Sequence, residues 1–109
     1  MNEVKVEIFA AGDGVNYPRK GQTVCVHYTG YLSDGKLFDS SRDRGKPFKF
    51  VLCNEQVIPG LDEGVSQLSI GERAKITIPA AKAYADRGFP GLVPANTDLV
   101  FDLELITFN

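Results

Sequence analysis

Apolar and polar residues alternate in several short stretches of the chain and recur at helical spacing in one. Val4, Val6 and Ile8 alternate with Glu3, Lys5 and Glu7, which predicts a half-buried strand. Ala11-Gly12-Asp13-Gly14 and Pro18-Arg19-Lys20-Gly21 mark the turns that follow. Thr23 to Tyr31 is rich in β-branched and aromatic residues and predicts a second strand. Val24, Val26 and Tyr28 share one of its faces, and Cys25, His27 and Thr29 the other. Asp34-Gly35 is a hairpin signal, and Leu37-Phe38 begins the return strand. The polar run from Asp39 to Pro47 predicts a loop or bulge, after which Phe48, Phe50 and Leu52 resume the alternation.

Ile58, Leu61, Val65 and Leu68 recur at spacings of three, four and three, the signature of one helix face. Pro59 suits the first turn of that helix, where its missing N–H has no partner to lose. Asp62 and Glu63 sit near its positive end. Gly71 is the expected stop. Ala74, Ile76 and Ile78 form a further alternating strand, and Leu99, Phe101, Leu103 and Leu105 a last one, expected at the centre of the sheet. Between them, residues 79–97 are irregular, with Pro79, Gly88, Pro90, Gly91 and Pro94; a loop of this length is usually functional. The pattern amounts to about five strands and one helix in a single domain spanning residues 1–109, an α+β fold with the helix laid on one face of an antiparallel sheet.

Composition narrows the chemistry. With 43% hydrophobic and 24% charged residues the chain is an ordinary globular domain. No apolar run reaches the roughly 18 residues of a membrane span. Twelve Lys and Arg against fourteen Asp and Glu leave a net charge of -2, so no basic excess attracts nucleic acid or anionic lipid. The segment from Met1 to Glu7 alternates charged and apolar residues and lacks the apolar core of a signal peptide, which points to a reducing, cytoplasmic setting. Cys25 and Cys53 are 28 positions apart and match no metal-ligand spacing. His27 is the only imidazole, so any Ser-His or Cys-His hydrolase has to use it.

The aromatics Tyr28, Phe38, Phe48, Tyr84 and Phe101 lie on strands or at loop junctions. They suit either core packing or an apolar cavity between helix and sheet that opens to solvent, and pattern alone does not choose. Asp39 suits a turn or a charge partnership with Arg42 or Arg44.

Particular motifs carry more information. Val26-His27-Tyr28-Thr29-Gly30, Phe38-Asp39-Ser40-Ser41-Arg42, Lys46-Pro47-Phe48-Lys49-Phe50, Val57-Ile58-Pro59-Gly60, Gly71-Glu72-Arg73-Ala74-Lys75, Ala83-Tyr84 and Leu99-Val100-Phe101-Asp102 resemble, in order, the FKBP-type peptidyl-prolyl isomerases. The resemblance runs from about residue 3 to residue 108 with almost no insertion, and the chain is similar to a minimal single-domain member of these tacrolimus-binding immunophilins.

The resemblance implies a five-stranded antiparallel sheet wrapped around one short helix, with a hydrophobic pocket between them. It implies a catalytic group of Tyr28, Asp39, Tyr84 and Phe101, and ligand contacts from Phe38, Phe48, Val57, Ile58, Leu61 and Gln56. Arg44 would orient Asp39 and Tyr28, and Phe89, Leu92 and Val93 would form a flap. No metal or cofactor is implied. The implied partners are proline-containing peptides and proteins and macrolides of the tacrolimus and rapamycin type, with a protein partner engaging residues 85–94. A net charge near zero and no apolar stripe beyond the core point to a monomer. Some positions depart from the usual pattern. Leu61 stands where a tryptophan is common, Gln56 where a glutamate is common, Phe89 for a histidine and Ala85 for a glycine, and Ala81-Lys82 replaces an acidic-aromatic pair. The smaller floor at Leu61 keeps a second reading in play, in which the same pocket captures a ligand or partner and turnover is incidental.

Overall fold

The strand Thr23–Leu32 (β2) buries every second residue, Val24, Val26, Tyr28, Gly30 and Leu32, and organises the domain. The computed structural model describes residues 3–109; the first two residues of the domain, where the alternating N-terminal pattern begins, lie outside the described residues. The remaining strands are Lys5–Ala10 (β1), Leu37–Ser40 (β3), Phe48–Val51 (β4), Arg73–Ile78 (β5) and Leu99–Phe108 (β6). All pairings are antiparallel, in the order β1-β5-β6-β2-β3, with β4 also on β2.

The expected interrupted strand is what β3 and β4 form. β3 pairs with the Thr29–Tyr31 part of β2, and β4 with its Thr23–Val26 part, on the same edge. Residues 41–47 bulge out between them. The sheet thus has five positions and six segments. β6 lies between β5 and β2, at the centre, as the apolar residues on both of its sides predict. The hairpin at Asp34-Gly35 closes with Gly35 N–H donating to Leu32 O at 2.9 Å, and Gly35 adopts φ +89°, where glycine is unstrained.

The helix Pro59–Val65 (α1) is short. It stops before the expected Gly71, because the chain turns at Ser66 and Leu68 N–H bonds Val65 O at 3.1 Å, carrying Leu68 into the core outside the helix. Gly60 and Gly64, one helical turn apart, face β5. A Cβ at Gly60 would overlap the Ile78 side chain, and one at Gly64 would lie 2.8 Å from Ile76. Two glycines therefore let the helix backbone approach the sheet closely, while Leu61 and Val65 fill the core beside them. One further expectation changes: Ile8 on β1 is 50% exposed, because β1 is an edge strand and only Val4 and Val6 reach the core.

Candidate active site

The polar segment between β3 and β4 is held in place from three directions. Ser41 is fully buried; its Oγ accepts the Tyr28 N–H at 2.8 Å and lies 2.9 Å from His27 Nδ1. Arg42 pairs with Glu104 on β6 at 2.9 Å. Arg44 then reaches back over the sheet. Its Nη1 bonds Asp39 Oδ1, and its Nη2 donates to the Tyr28 hydroxyl at 3.1 Å. The Tyr28 hydroxyl donates in turn to Asp39 Oδ2 at 2.5 Å. Tyr28, Asp39 and Arg44 thus close a ring of hydrogen bonds. Burial, and next the bond to Asp39, push the Tyr28 phenol above its ordinary range, so it stays a donor throughout neutral pH. The bonds to Tyr28 and Asp39 raise the Arg44 guanidinium still further.

Beneath this ring lies a cavity of about 340 Å³. Tyr28, Phe38, Asp39, Arg44 and Phe48 come from the β2–β4 side, Val57, Ile58 and Leu61 from the helix approach, Tyr84 from the long loop, and Phe101 from β6. The aromatic rings meet edge to face: Tyr28 with Phe48 and with Phe101 at 5.8 Å, Phe38 with Phe101 at 5.7 Å. Gly30 makes this possible. A Cβ there would sit 2.9 Å from Phe38 and 3.0 Å from Phe101. At the mouth of α1, Ile58 adopts an extended backbone, and its N–H has no acceptor among the described residues. That is the position where helix geometry leaves donors free.

The irregular stretch 79–97 is ordered by its own bonds. It opens with a 3-10 turn, Ala80–Lys82, whose Lys82 pairs with Glu63 of α1 at 2.9 Å. Ala80 N–H donates to Asp98 Oδ1 at 2.8 Å, and Asn96 N–H to Ala85 O at 2.7 Å. These ties set Tyr84 at the cavity, where burial and then the Asp39 charge raise its phenol above the ordinary value. No acceptor engages the Tyr84 hydroxyl among the described residues. Ala85 is held at φ +50°, a strain of about 1 kcal/mol for a residue with a Cβ.

The structure brings together ten of the residues singled out in the sequence. Asp39 is a strand residue with two partners rather than a turn former, and Arg44, not Arg42, is its cation. Four others stand apart from the cavity. Gln56 Oε1 accepts the Val51 N–H at 2.9 Å, closing the turn before the helix. Phe89 packs on Tyr84 at 5.5 Å and is otherwise half exposed. Leu92 and Val93 line a neighbouring groove, and Val93 is buried under the loop, not displayed on it. The His27–Ser41 contact offers no hydrolase: Ser41 is inaccessible, and its oxygen already serves the Tyr28 backbone. Sequence reasoning does not single out Ser41 and Gly30 as residues that shape the site. A hydroxyl or a glycine in a strand motif does not announce which ring or amide it will meet.

An antiparallel sheet folded over one short helix, with an aromatic cavity at the helix mouth, defines a prolyl isomerase of the FKBP class. Residues 14–106 match the family described as FKBP-type peptidyl-prolyl cis-trans isomerase, and the chain belongs to it. It is 55% identical over 105 residues to FK506-binding protein 1 of Debaryomyces hansenii, covering 96% of this chain and 94% of that protein. It is 56% identical over 103 residues to peptidyl-prolyl cis-trans isomerase Fkbp12 of Drosophila melanogaster, covering 94% of this chain and 95% of that protein. To peptidyl-prolyl cis-trans isomerase FKBP1A of Xenopus laevis it is 53% identical over 103 residues, with the same coverage of each. The chain is an enzyme of X–Pro isomerisation. Among the described residues no helix is long and apolar enough to cross a membrane.

Proposed function

We propose that the 340 Å³ cavity receives the proline ring of a peptide or protein substrate, with Tyr28, Phe48, Leu61 and Phe101 around the ring. The observation that carries this reading is the combination in one cavity of aromatic walls, a free backbone donor at Ile58 and the Tyr28–Asp39–Arg44 ring.

Rotation about a peptide bond has a barrier of about 18–20 kcal/mol, and free X–Pro bonds exchange over tens to hundreds of seconds. No covalent bond breaks. As the amide twists it loses resonance, and the charge separation between carbonyl oxygen and nitrogen falls. An apolar cavity disfavours the planar, more dipolar ground state relative to the twisted one, so it binds the transition state differentially without acid, base or nucleophile. The Ile58 N–H and the Tyr84 hydroxyl donate to carbonyls flanking the bond, and Phe38 and Val57 complete the wall. Asp39, held by Tyr28 and Arg44, faces the twisting carbonyl or the polar hydrogens of a ligand.

The name of the Debaryomyces hansenii relative, FK506-binding protein 1, supports the same cavity as a site for that ligand, and we extend the reading to macrolides of the tacrolimus and rapamycin type. Exposed Phe89 and Leu92 support a contact between residues 85–94 and a protein partner. The free thiols Cys25 and Cys53 suit a cytoplasmic setting, and one chain supplies the whole cavity, which suits a monomer. A second reading rests on Leu61: a non-aromatic floor favours ligand capture with weak turnover.

Asp39→Val and Phe101→Leu test the site in a protease-coupled assay on a proline tetrapeptide. Both are expected to lower kcat/KM at least severalfold while the thermal melt stays cooperative. Undiminished turnover in both variants removes the assignment. Poor wild-type turnover with tight tacrolimus binding favours the second reading.

A further inference from the structure

Two grooves adjoin the cavity, each sharing part of its wall. One, of about 540 Å³, shares Phe38 with it and is lined further by Leu32, Lys36, Leu37, Arg87 and residues 90–95. The other, of about 980 Å³, shares Phe48 and Arg44 with it and is lined further by Cys25, Lys46, Pro47 and Lys49. Phe38 and Phe48 stand at separate points along β2: Phe38 lies between Leu37 and Asp39, which pair with Tyr31 and Gly30, whereas Phe48 pairs with Val26. The grooves therefore adjoin the cavity at two different walls.

Every charged residue lining either groove is a cation, although the whole chain carries a net charge of -2. Arg44 is occupied by Asp39. Lys36, Arg87, Lys46 and Lys49 form no ion pair among the described residues. The acidic sequence neighbours Asp34 and Asp86 line neither groove, and Asp34 is turned to its own hairpin, accepting the Lys36 N–H at 2.9 Å. A polypeptide substrate does not end at the X–Pro bond. An extended chain advances about 3.3–3.6 Å per residue, so its flanks must leave the cavity past these walls.

We propose that this isomerase selects proline segments with acidic flanks, one flank held by Lys36 and Arg87 beside Phe38 and the other by Lys46 and Lys49 beside Phe48. The proposal rests on the cavity being the proline site and adds the class of substrate it takes. Occupancy by the substrate's own chain rests on the walls both grooves share with the cavity, Phe38 on one side and Phe48 and Arg44 on the other, and on their single sign of charge.

The test compares peptides with a central Leu-Pro and either Glu-rich or Gln-rich flanks on each side, together with a short uncharged proline tetrapeptide. Glu flanks are expected to raise kcat/KM by about two- to fivefold per side, the range of an exposed ion pair, and high salt is expected to erase the gain. Lys36→Glu is expected to cancel the preference for one flank and Lys46→Glu/Lys49→Glu that for the other, with tetrapeptide turnover unchanged in both. Equal rates for Glu and Gln peptides overturn the proposal, as does a preference that survives both variants. A wild-type preference for Glu flanks that is indifferent to salt overturns it as well, without any variant. A wild-type protein unable to turn over the tetrapeptide overturns the proline-site reading, and the substrate preference falls with it.

Discussion

The Tyr28 hydroxyl donates to Asp39 at 2.5 Å while accepting from Arg44 at 3.1 Å, so one phenol holds together a strand carboxylate and a loop guanidinium. Tyr28→Phe keeps the ring and removes this junction. Loss of a partly exposed hydrogen bond to a charged group is expected to cost about 1 kcal/mol in urea unfolding and to lower kcat/KM severalfold, because Asp39 is then held by Arg44 alone. The same variant has a signature in alkali. The folded pKa of Tyr28 lies above the ordinary tyrosine value of 10.0, so its contribution to stability is complete below pH 10 and is lost as pH rises through the raised value. Part of the wild-type decline above pH 10 is expected to be missing from Tyr28→Phe.

Gly30 lies under two rings of the cavity wall. In Gly30→Ala the new methyl meets Phe38 at 2.9 Å and Phe101 at 3.0 Å, and rings packed on a sheet yield only by shifting together. The expected result is a loss of about 1–3 kcal/mol of stability, the usual cost of overpacking, with reduced turnover. Denaturant unfolding and the tetrapeptide assay measure the two effects separately.

Leu61 forms part of the cavity floor and is 8% exposed. Leu61→Trp puts a flat aromatic surface under the proposed proline site. About tenfold tighter tacrolimus binding is expected, equivalent to about 1.4 kcal/mol, and thermal shift against ligand concentration measures it. Unchanged affinity means that neighbouring side chains already fill the space.

Asp62 shows the opposite balance from an ordinary carboxylate. Burial raises its pKa above 3.8, and the Cys53 N–H bonded to its Oδ1 at 2.9 Å offsets this only in part. A raised carboxyl favours the folded state when protonated, and that advantage disappears as pH climbs through the raised value. Asp62→Asn retains an acceptor for Cys53 and carries no charge. Its melting temperature is expected to exceed that of the wild type at about pH 7, with the two converging below about pH 4. Coincident melting curves at every pH would show that Asp62 ionises without penalty.

Local pattern was enough to read the strands and the presence of one helix, because alternation and helical spacing are properties of neighbouring residues. It misplaced the end of the helix, since Leu68 keeps the apolar rhythm while the backbone has already turned, and the exposure of Ile8, since an edge strand alternates like any other. Motifs identified ten residues that line the cavity. They did not separate these from Gln56, which bonds the backbone of its own turn, or from Val93, which sinks beneath the loop. Those outcomes depend on where a side chain finds its acceptor or its void.

Tertiary structure alone decided that Asp39 would pair with Arg44, that Gly30 would admit two rings, and that lysines scattered from Lys36 to Lys49 would border two grooves adjoining one cavity. Residues far apart along the chain acquire such relations only when sheet register and loop anchoring set them within a few ångströms of one another. The amino-acid sequence by itself determined the sheet, the helix and the family. The three-dimensional packing determined the shape and charge of the space that a proline segment enters.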